Sequence, residues 1–530
     1  MAGVMGPSAV STMIWLVLVW ARAGKPVSKL IPIMMSQKTE RILFIMDITN
    51  LLYLTNRVII CHCFEPEHFP GSRNDTKLRC YNPAMRFRFS YKYLLAIPVL
   101  CVLALLVYNI PFVHNRLGWR VDNLRVRIQY ALNPPEQAVF QPQQQAELEN
   151  QVDLIVNATL TANAPTLTPT PIISTPTQIG PTATPLPSAT PTLSPTPLPD
   201  SIKLAGVHYE DQHNRYNFCG PANLSMALTF WGWDGNRDTV GEYVKTNKDD
   251  KNVMPYELQD FVLTQTTGYG ALIRYGGDIS LLKKLVAAGF PVVTEKGYYT
   301  YDLTGRYGWL GHYQFVTGYD ETKGVLVVQD TYIPEGENHE FPYPEFIIGW
   351  RSFDNLFMVV YPLAREQELL SVLGDYSDTD WSSRRALEVA TNETSTLTGL
   401  DQYFAAFNVG TSHVNLKEYV DAAFAYDYAF QLYAGLKDDD QRPFRMMWYQ
   451  TGPYFAYYYS GRYQDVIDLA NVTFNTIADD VLEESWYWRG MGELALGDTE
   501  AAIADFRESV RLHPDFAPGL YQLEQLGVSP

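Results

Sequence analysis

Apolar and polar positions divide the chain into four regimes. The first is an uncharged apolar stretch, Tyr93–Val113, "YLLAIPVLCVLALLVYNIPFV". Its length matches a bilayer span, and its Pro98 is tolerable near the start of such a helix. The second, 165–199, holds 11 prolines among 35 residues, has no charge, and is otherwise mostly Thr and Ser. Such a segment cannot bury a core and favours polyproline II. The third, from Ile202 to about Ala364, mixes periods. Helical spacing occurs at 220–231, 255–264 and 278–288, the last closed by Gly289, and strand-like runs follow at 290–296, 311–319, 324–330 and 356–362. Helices first and an antiparallel sheet after predict an α+β domain. The fourth, from about 400, is helical and repetitive.

The helical repeats have recognisable spacings. In 484–516, Trp486, Gly490, Ala502, Phe506, Ser509 and Pro514 occupy the small-or-aromatic positions of a tetratricopeptide-like unit. Gly410, Ala422, Tyr426 and Ala429 repeat these spacings earlier. Trp448, Gly452, Gly461, Val466 and Ala470 make a looser copy between them. Three helical hairpins reach the minimum for a stacked array, with a plain helical bundle as the simpler alternative. The expected organisation is an N-terminal extension over 1–84, a transmembrane signal anchor and juxtamembrane segment over 85–135, and a Thr/Pro-rich stalk over 136–200. The α+β domain follows over 201–365, a connector over 366–400 and the repeats over 401–530.

Composition sharpens this division. The chain is 46% hydrophobic and 13% aromatic, which is globular rather than disordered. The formal net charge of −18 is unevenly spread. Residues 1–135 carry 16 Lys+Arg against 6 Asp+Glu, and the remainder carries 24 against 52. An acidic C-terminal body lacks the basic footprint of a nucleic-acid binder. Arg86, Arg88 and Lys92 precede the apolar stretch and Arg116, Arg120, Arg125 and Arg127 follow it, so flanking charge alone does not orient a span. Read from Met85, the chain begins with a basic region and then a signal anchor. Thr/Pro stalks suit extracytoplasmic segments, which places the C-terminal body outside a cell membrane. Cys61, His62, Cys63, His68 and Cys80 have no zinc-knuckle spacing.

Of five cysteines, only Cys219 lies beyond position 101. An exported domain that wants disulfides uses cysteines in pairs. The lone thiol is therefore a core residue or a nucleophile. "CGPANLSMALTFW" favours the second, because Gly220-Pro221 opens a helix whose Leu224, Ala227, Leu228 and Trp231 share a face. A helix N-terminus stabilises a thiolate and offers N–H groups to an oxyanion. His312 opens a strand, and the turn "DETKG" leads to a strand ending at Asp330. A hairpin centred on 321 pairs these residues directly, and one centred on 322 sets them near-diagonally on the same face. Asp320 is the rival acid, in the turn. Gln212, seven residues before Cys219, offers a side-chain amide to the oxyanion. His208 and His213 beside Cys219 lack a fourth zinc ligand at a typical spacing. The polar stretch 247–258 reads as a loop capping the next helix, with metal binding by Asp249 and Asp250 as the alternative. The aromatics of 297–313 line a substrate cleft or pack the sheet.

"QHNRYNFCGPANLSMAL", "GHYQFVTGYD" and "VLVVQD" resemble the double-glycine, bacteriocin-processing type of papain-like cysteine peptidase over about 202–364. The resemblance implies a papain-like fold with Cys219 as nucleophile, His312 as general base, Asp330 as orienting acid and Gln212 as oxyanion donor. No metal or other cofactor is expected. The whole layout is similar to bacterial surface proteins that join such a domain to helical repeats. Unlike members fused to an ABC transporter, this chain has no Walker A motif. The expected function is a membrane-anchored extracytoplasmic cysteine peptidase acting on peptides, with repeats presenting substrate or a protein partner. The alternatives are a catalytically silent surface-binding module and an acyl or peptidyl transferase using the same residues.

Overall fold

The computed structural model describes residues 103–132, 139–142, 197–215, 217–247, 249–301, 306–436 and 442–530. The cysteines before position 102, the start at Met85, residues 93–102 of the expected span and nearly all of the stalk lie outside the described residues. Residues 103–108 are helical, but the stretch expected to continue to Val113 breaks at Asn109–Ile110. A new helix, α1 (Pro111–Leu132), starts at the proline. The break follows from Pro111, which disfavours helical backbone at the residue before it yet suits a first helical turn. Among the described residues, no helix is long and apolar enough to cross a membrane.

The α+β domain expected over 201–365 contains seven antiparallel strands. They are β1 (Ser201–Lys203), β2 (Tyr269–Arg274), β3 (Val292–Tyr301), β4 (Tyr307–Asp320), β5 (Val325–Asp330), β6 (His339–Pro342) and β7 (Phe357–Pro362). The sheet runs β2-β7-β3-β4-β5-β6, with β1 also on β4. Helices α2 (Cys219–Phe230), α3 (Arg237–Val244) and α4 (Pro255–Gln265) bury Leu224, Val240 and Phe261 in one core with Val293 and Phe315. Helices α5 (Ile279–Ala287), α6 (Tyr343–Arg351) and α7 (Glu366–Leu373) bury Leu282, Trp350 and Leu369 in another with Val292 and Val316. Adjacent strand positions thus serve opposite cores, as alternation requires.

Local chemistry sets the helix starts. Asn236 caps α3 by accepting from the Asp238 and Thr239 N–H groups, and Asp278 caps α5 by accepting from Leu281 N–H. Pro255 opens α4, while the Met254 N–H donates to Glu257 at 2.7 Å. The sequence anticipated α2, α4 and α5 closely. It did not resolve α3, β2, β6 or α6. The aromatic stretch 297–313 lies largely on β3 and β4, where Trp309 is buried against Phe353 and Phe404. That part packs rather than forming an open cleft.

The C-terminal region is all-helical. Helices α8 (Thr379–Thr396), α9 (Gly399–Asn415), α10 (Tyr419–Gly435), α11 (Met446–Tyr449) and α12 (Gly452–Tyr459) are followed by α13 (Tyr463–Asn475), α14 (Glu483–Ala495), α15 (Thr499–Leu512) and α16 (Ala517–Gln525). Gly490 lets α14 meet Phe506 of α15, since a Cβ there would stand 2.9 Å from the ring. Asn408 Nδ2 donates to the Arg351 carbonyl at 2.6 Å, and Ser412 donates to Asp354 at 2.8 Å. These buried bonds fasten the C-terminal helices to the α+β domain.

Candidate active site

Cys219 is the first residue of α2. No side chain caps that helix, so its terminal N–H groups are not taken up by a capping side chain. Asn223, fully buried one turn on, donates through Nδ2 to the Cys219 carbonyl at 2.8 Å and to the Tyr313 carbonyl at 2.9 Å. One amide thus joins the cysteine's turn to the residue after His312. Tyr313 is anchored in turn by its hydroxyl, which donates to the Val253 carbonyl at 2.9 Å.

A bulge brings His312 and Asp330 together. Near the turn, Asp320 pairs with Val325 and Gly318 with Val327; past an irregularity between Val316 and Gly318, Val316 pairs with Val328 and Gln314 with Asp330. Without the bulge, Thr317 would pair with Val328 and the turn-side register would put His312 and Asp330 on opposite faces. With it they share a face diagonally, the second arrangement anticipated from the turn. His312 Nε2 lies 3.1 Å from Asp330 Oδ1. Both residues are 2% exposed.

Asp330 is surrounded by donors. The N–H groups of Tyr332 (2.9 Å) and Ile333 (3.4 Å) reach Oδ1, and Gln314 Nε2 donates to Oδ2 at 2.5 Å. Burial acts to raise its pKa, but His312 and these donors hold the carboxyl well below the usual range. For His312, burial opposes charge, yet Asp330 and Cys219 prevail and raise the pKa to about 9. For Cys219, burial pushes the thiol up. The hydrogen bond and charge of His312, with backbone bonds to Tyr313 and Gly220, outweigh burial and lower it. With Nε2 on Asp330, Nδ1 is the imidazole nitrogen left for Cys219. The pair therefore favours thiolate and imidazolium.

The other anticipated residues divide clearly. Gln212 is tied beside Asp330: its N–H donates to the Thr331 carbonyl and its Oε1 accepts from Thr331 Oγ1, both at 2.9 Å. With Oε1 so engaged, Nε2 is its remaining donor. Asp320 instead closes the turn, accepting from the Thr322 and Lys323 N–H groups. His213 lies between Asp211 and the Tyr332 carbonyl. Asp249 accepts from Arg125 at 3.0 Å, and Asp250 accepts from Asn252 N–H. Among the described residues, the groups spaced to hold a metal are Glu257, Glu483 and His513, and His413, Glu418 and Asp421; neither includes Cys219.

The sequence reading missed Gln314 and Asn223. The one signal available for Gln314 was its place two residues past His312, on the same strand face. Glu295 was missed as well. It is 1% exposed, and burial first, then the nearby Cys219, push its carboxyl well above the ordinary value. Lys296, paired across the ladder with His312, places Nζ 3.4 Å from the Phe341 ring centre, and burial lowers its pKa to about 7. Tyr298 and Tyr332 stand edge-on to the His312 ring, 5.6 and 6.1 Å away.

An α+β domain that seats a cysteine at a helix terminus against a histidine–aspartate pair on an antiparallel sheet is cysteine peptidase-like. Residues 204–358 match the model of the Peptidase_C39 like family. A solved structure from Bacillus anthracis, described as C39-like peptidase, is similar at 16% identity over 30% of this chain and 97% of that one, with a TM-score of 0.25. No curated protein matches the chain.

Proposed function

We propose that residues 201–365 form a thiol hydrolase acting on peptides. The observation that carries this reading is His312, hydrogen-bonded to Cys219 on one side and to Asp330 on the other. The Cys219 thiolate attacks the peptide carbonyl and forms the C–S bond, while the oxyanion is met by the Cys219 N–H and Gln212 Nε2. Imidazolium His312 gives its proton to the leaving amine as the C–N bond breaks. Neutral His312 then takes a proton from water, which attacks the thioester and returns the cysteine. Asp330 holds the ring and its charge throughout. The test is labelling of the full chain by iodoacetamide at neutral pH. Fast labelling that is lost in Cys219→Ala and slowed in His312→Ala supports the dyad; an unchanged rate in His312→Ala refutes it.

The C-terminal helices fit a tetratricopeptide-like array that presents substrate or a protein partner. The segment 165–199 fits a stalk that at ~3.1 Å per residue reaches on the order of 100 Å. Together with the apolar stretch Tyr93–Val113, it supports a single-pass anchor with the hydrolase outside a bacterial cell membrane. Protease added to intact cells then releases the C-terminal domains. Their retention with cells lysed only afterwards counts against the placement.

A further inference from the structure

Nothing in the sequence put a residue of the C-terminal helices beside the strand of His312, yet one stands there. Helix α11 ends on the half-buried Tyr449, whose ring centre lies 5.6 Å from that of Trp309 and 6.0 Å from that of Phe353, edge-on to both. The close approach is at Gly311, the neighbour of His312. A Cβ there would stand 2.9 Å from Tyr449 Cδ1 and 2.7 Å from Phe353 Cζ. The Gly311 N–H donates to the Tyr449 hydroxyl, and the charge of Cys219 acts on the same hydroxyl.

Both sides of α11 are pinned to the α+β domain. Arg445 Nη1 donates to the Trp309 carbonyl at 2.9 Å, and Gln450 Nε2 donates to the Ser352 carbonyl at 2.7 Å. Behind it, Phe444 and Trp448 are buried with Ile477, Val481 and Leu482, and Trp448 Nε1 donates to Thr476 Oγ1 at 2.8 Å. The array's own core therefore fixes where Tyr449 stands.

We propose that Tyr449 is a substrate-positioning residue of the Cys219 site, so that the array completes the site instead of only delivering peptide to it. The proposal rests on the reading of Cys219 as nucleophile. A tyrosine suits the role because its ring is a rigid apolar wall and its hydroxyl a polar tip. The wall limits the side chain that can lie beside Gly311 while the carbonyl meets the thiolate. Held by two domains, it preserves reacting geometry with little loss of freedom on binding.

The test compares Cys219 alkylation in the full chain by iodoacetamide and by a bulky N-benzyl iodoacetamide. The readout is the bulky-to-small rate ratio, with remaining labelling subtracted using Cys219→Ala. Tyr449→Ala is expected to raise the ratio by about 10-fold and Tyr449→Phe to hold it within about 2-fold, because the ring supplies the wall. Tyr449→Leu, which preserves apolar volume, gives an intermediate ratio and covers the case in which the alanine variant unfolds. An unchanged ratio in both the alanine and leucine variants overturns the proposal, as does a phenylalanine variant as open as alanine. Wild-type Cys219 that resists iodoacetamide at neutral pH overturns the hydrolase reading separately. At about pH 9.5, where an ordinary thiol ionises, the ratio still reads the wall.

Discussion

Gln314 faces Asp330 directly across the β4–β5 ladder, and its Nε2 donates to Asp330 Oδ2 while His312 takes the other oxygen. Gln314 is fully buried, so no water replaces it freely. Gln314→Leu strands Oδ2 without that donor, which costs about 1–3 kcal/mol of stability for an unsatisfied buried acceptor. It also loosens the carboxylate that orients His312. Iodoacetamide labelling of Cys219 is expected to slow by about 10-fold, as for other outer partners of a catalytic group. Gln314→Glu is expected to be worse, since a second carboxylate there repels Asp330. Labelling at the wild-type rate in Gln314→Leu would show that Asp330 is held by its backbone donors alone.

The extra residue at Thr317 is the second device. Deleting it joins Val316 to Gly318 and leaves Val316 opposite Val328 and Gln314 opposite Asp330, so His312 keeps the face that carries Asp330. Deletion of Thr317 is therefore expected to leave Cys219 labelling as sensitive to Asp330→Asn as in the wild type. Thr317 also accepts from Gln329 Nε2 at 2.8 Å, so Thr317→Ala is the control that loses this bond and keeps the register. A deletion variant whose labelling no longer depends on Asp330 would mean that the local bend of the bulge, and not the register beyond it, aims His312.

What the sequence could show follows from how local each feature is. The start of α2 at Cys219 was legible because Gly220-Pro221 and the apolar face beyond it lie within one helix. His312 and Asp330 were legible as a same-face pair because a short hairpin has only a few registers. Their diagonal offset was legible only as an alternative, since the turn "DETKG" admits either centre and Gly318 beside the bulge reads equally as part of the strand. Asn223 looks like any polar residue in a helix, and its bond to Tyr313 spans 90 residues. Tyr449 lies further still from Gly311. Such long-range contacts depend on how finished elements pack, which periodicity does not encode.

The pH dependence follows from His312 and Cys219. The Cys219 thiol is lowered, so alkylation is expected to reach its plateau below the ordinary thiol value of about 8.5. Peptide hydrolysis also needs the imidazolium proton, and His312 loses it as pH passes about 9. Activity is therefore expected to fall above about 9 while alkylation stays flat. The stability linkage has the same sign. His312 titrates higher in the folded chain than an ordinary histidine, at 6.5, so its contribution is complete below that pH and disappears as pH rises through about 9. Asp330→Asn removes the main charge that raises His312. It is expected to move the alkaline limb toward neutrality and slow hydrolysis by about 100-fold or more. A limb that stays in place in Asp330→Asn would assign it to another group.

Arg462 is expected to decide whether the array keeps its shape. Its Nη1 and Nη2 donate to the two oxygens of Asp427 at 2.7 and 2.9 Å, and Nε donates to Asp465 at 2.8 Å. All three residues are buried, and Tyr457 adds a donor to Asp427 at 2.9 Å. Burial raises the Asp427 carboxyl despite the opposing pull of Arg462, which shows the cost of hiding this group. Arg462→Met leaves two buried carboxylates without their guanidinium. It is expected to lower unfolding free energy by about 3–5 kcal/mol, measured by urea titration at neutral pH. Adding Asp427→Asn and Asp465→Asn removes the stranded charges and is expected to recover at least half of the loss. A single variant that loses less than about 1 kcal/mol would place these groups in contact with water during ordinary fluctuations, and the array would then hold through its aromatic core alone.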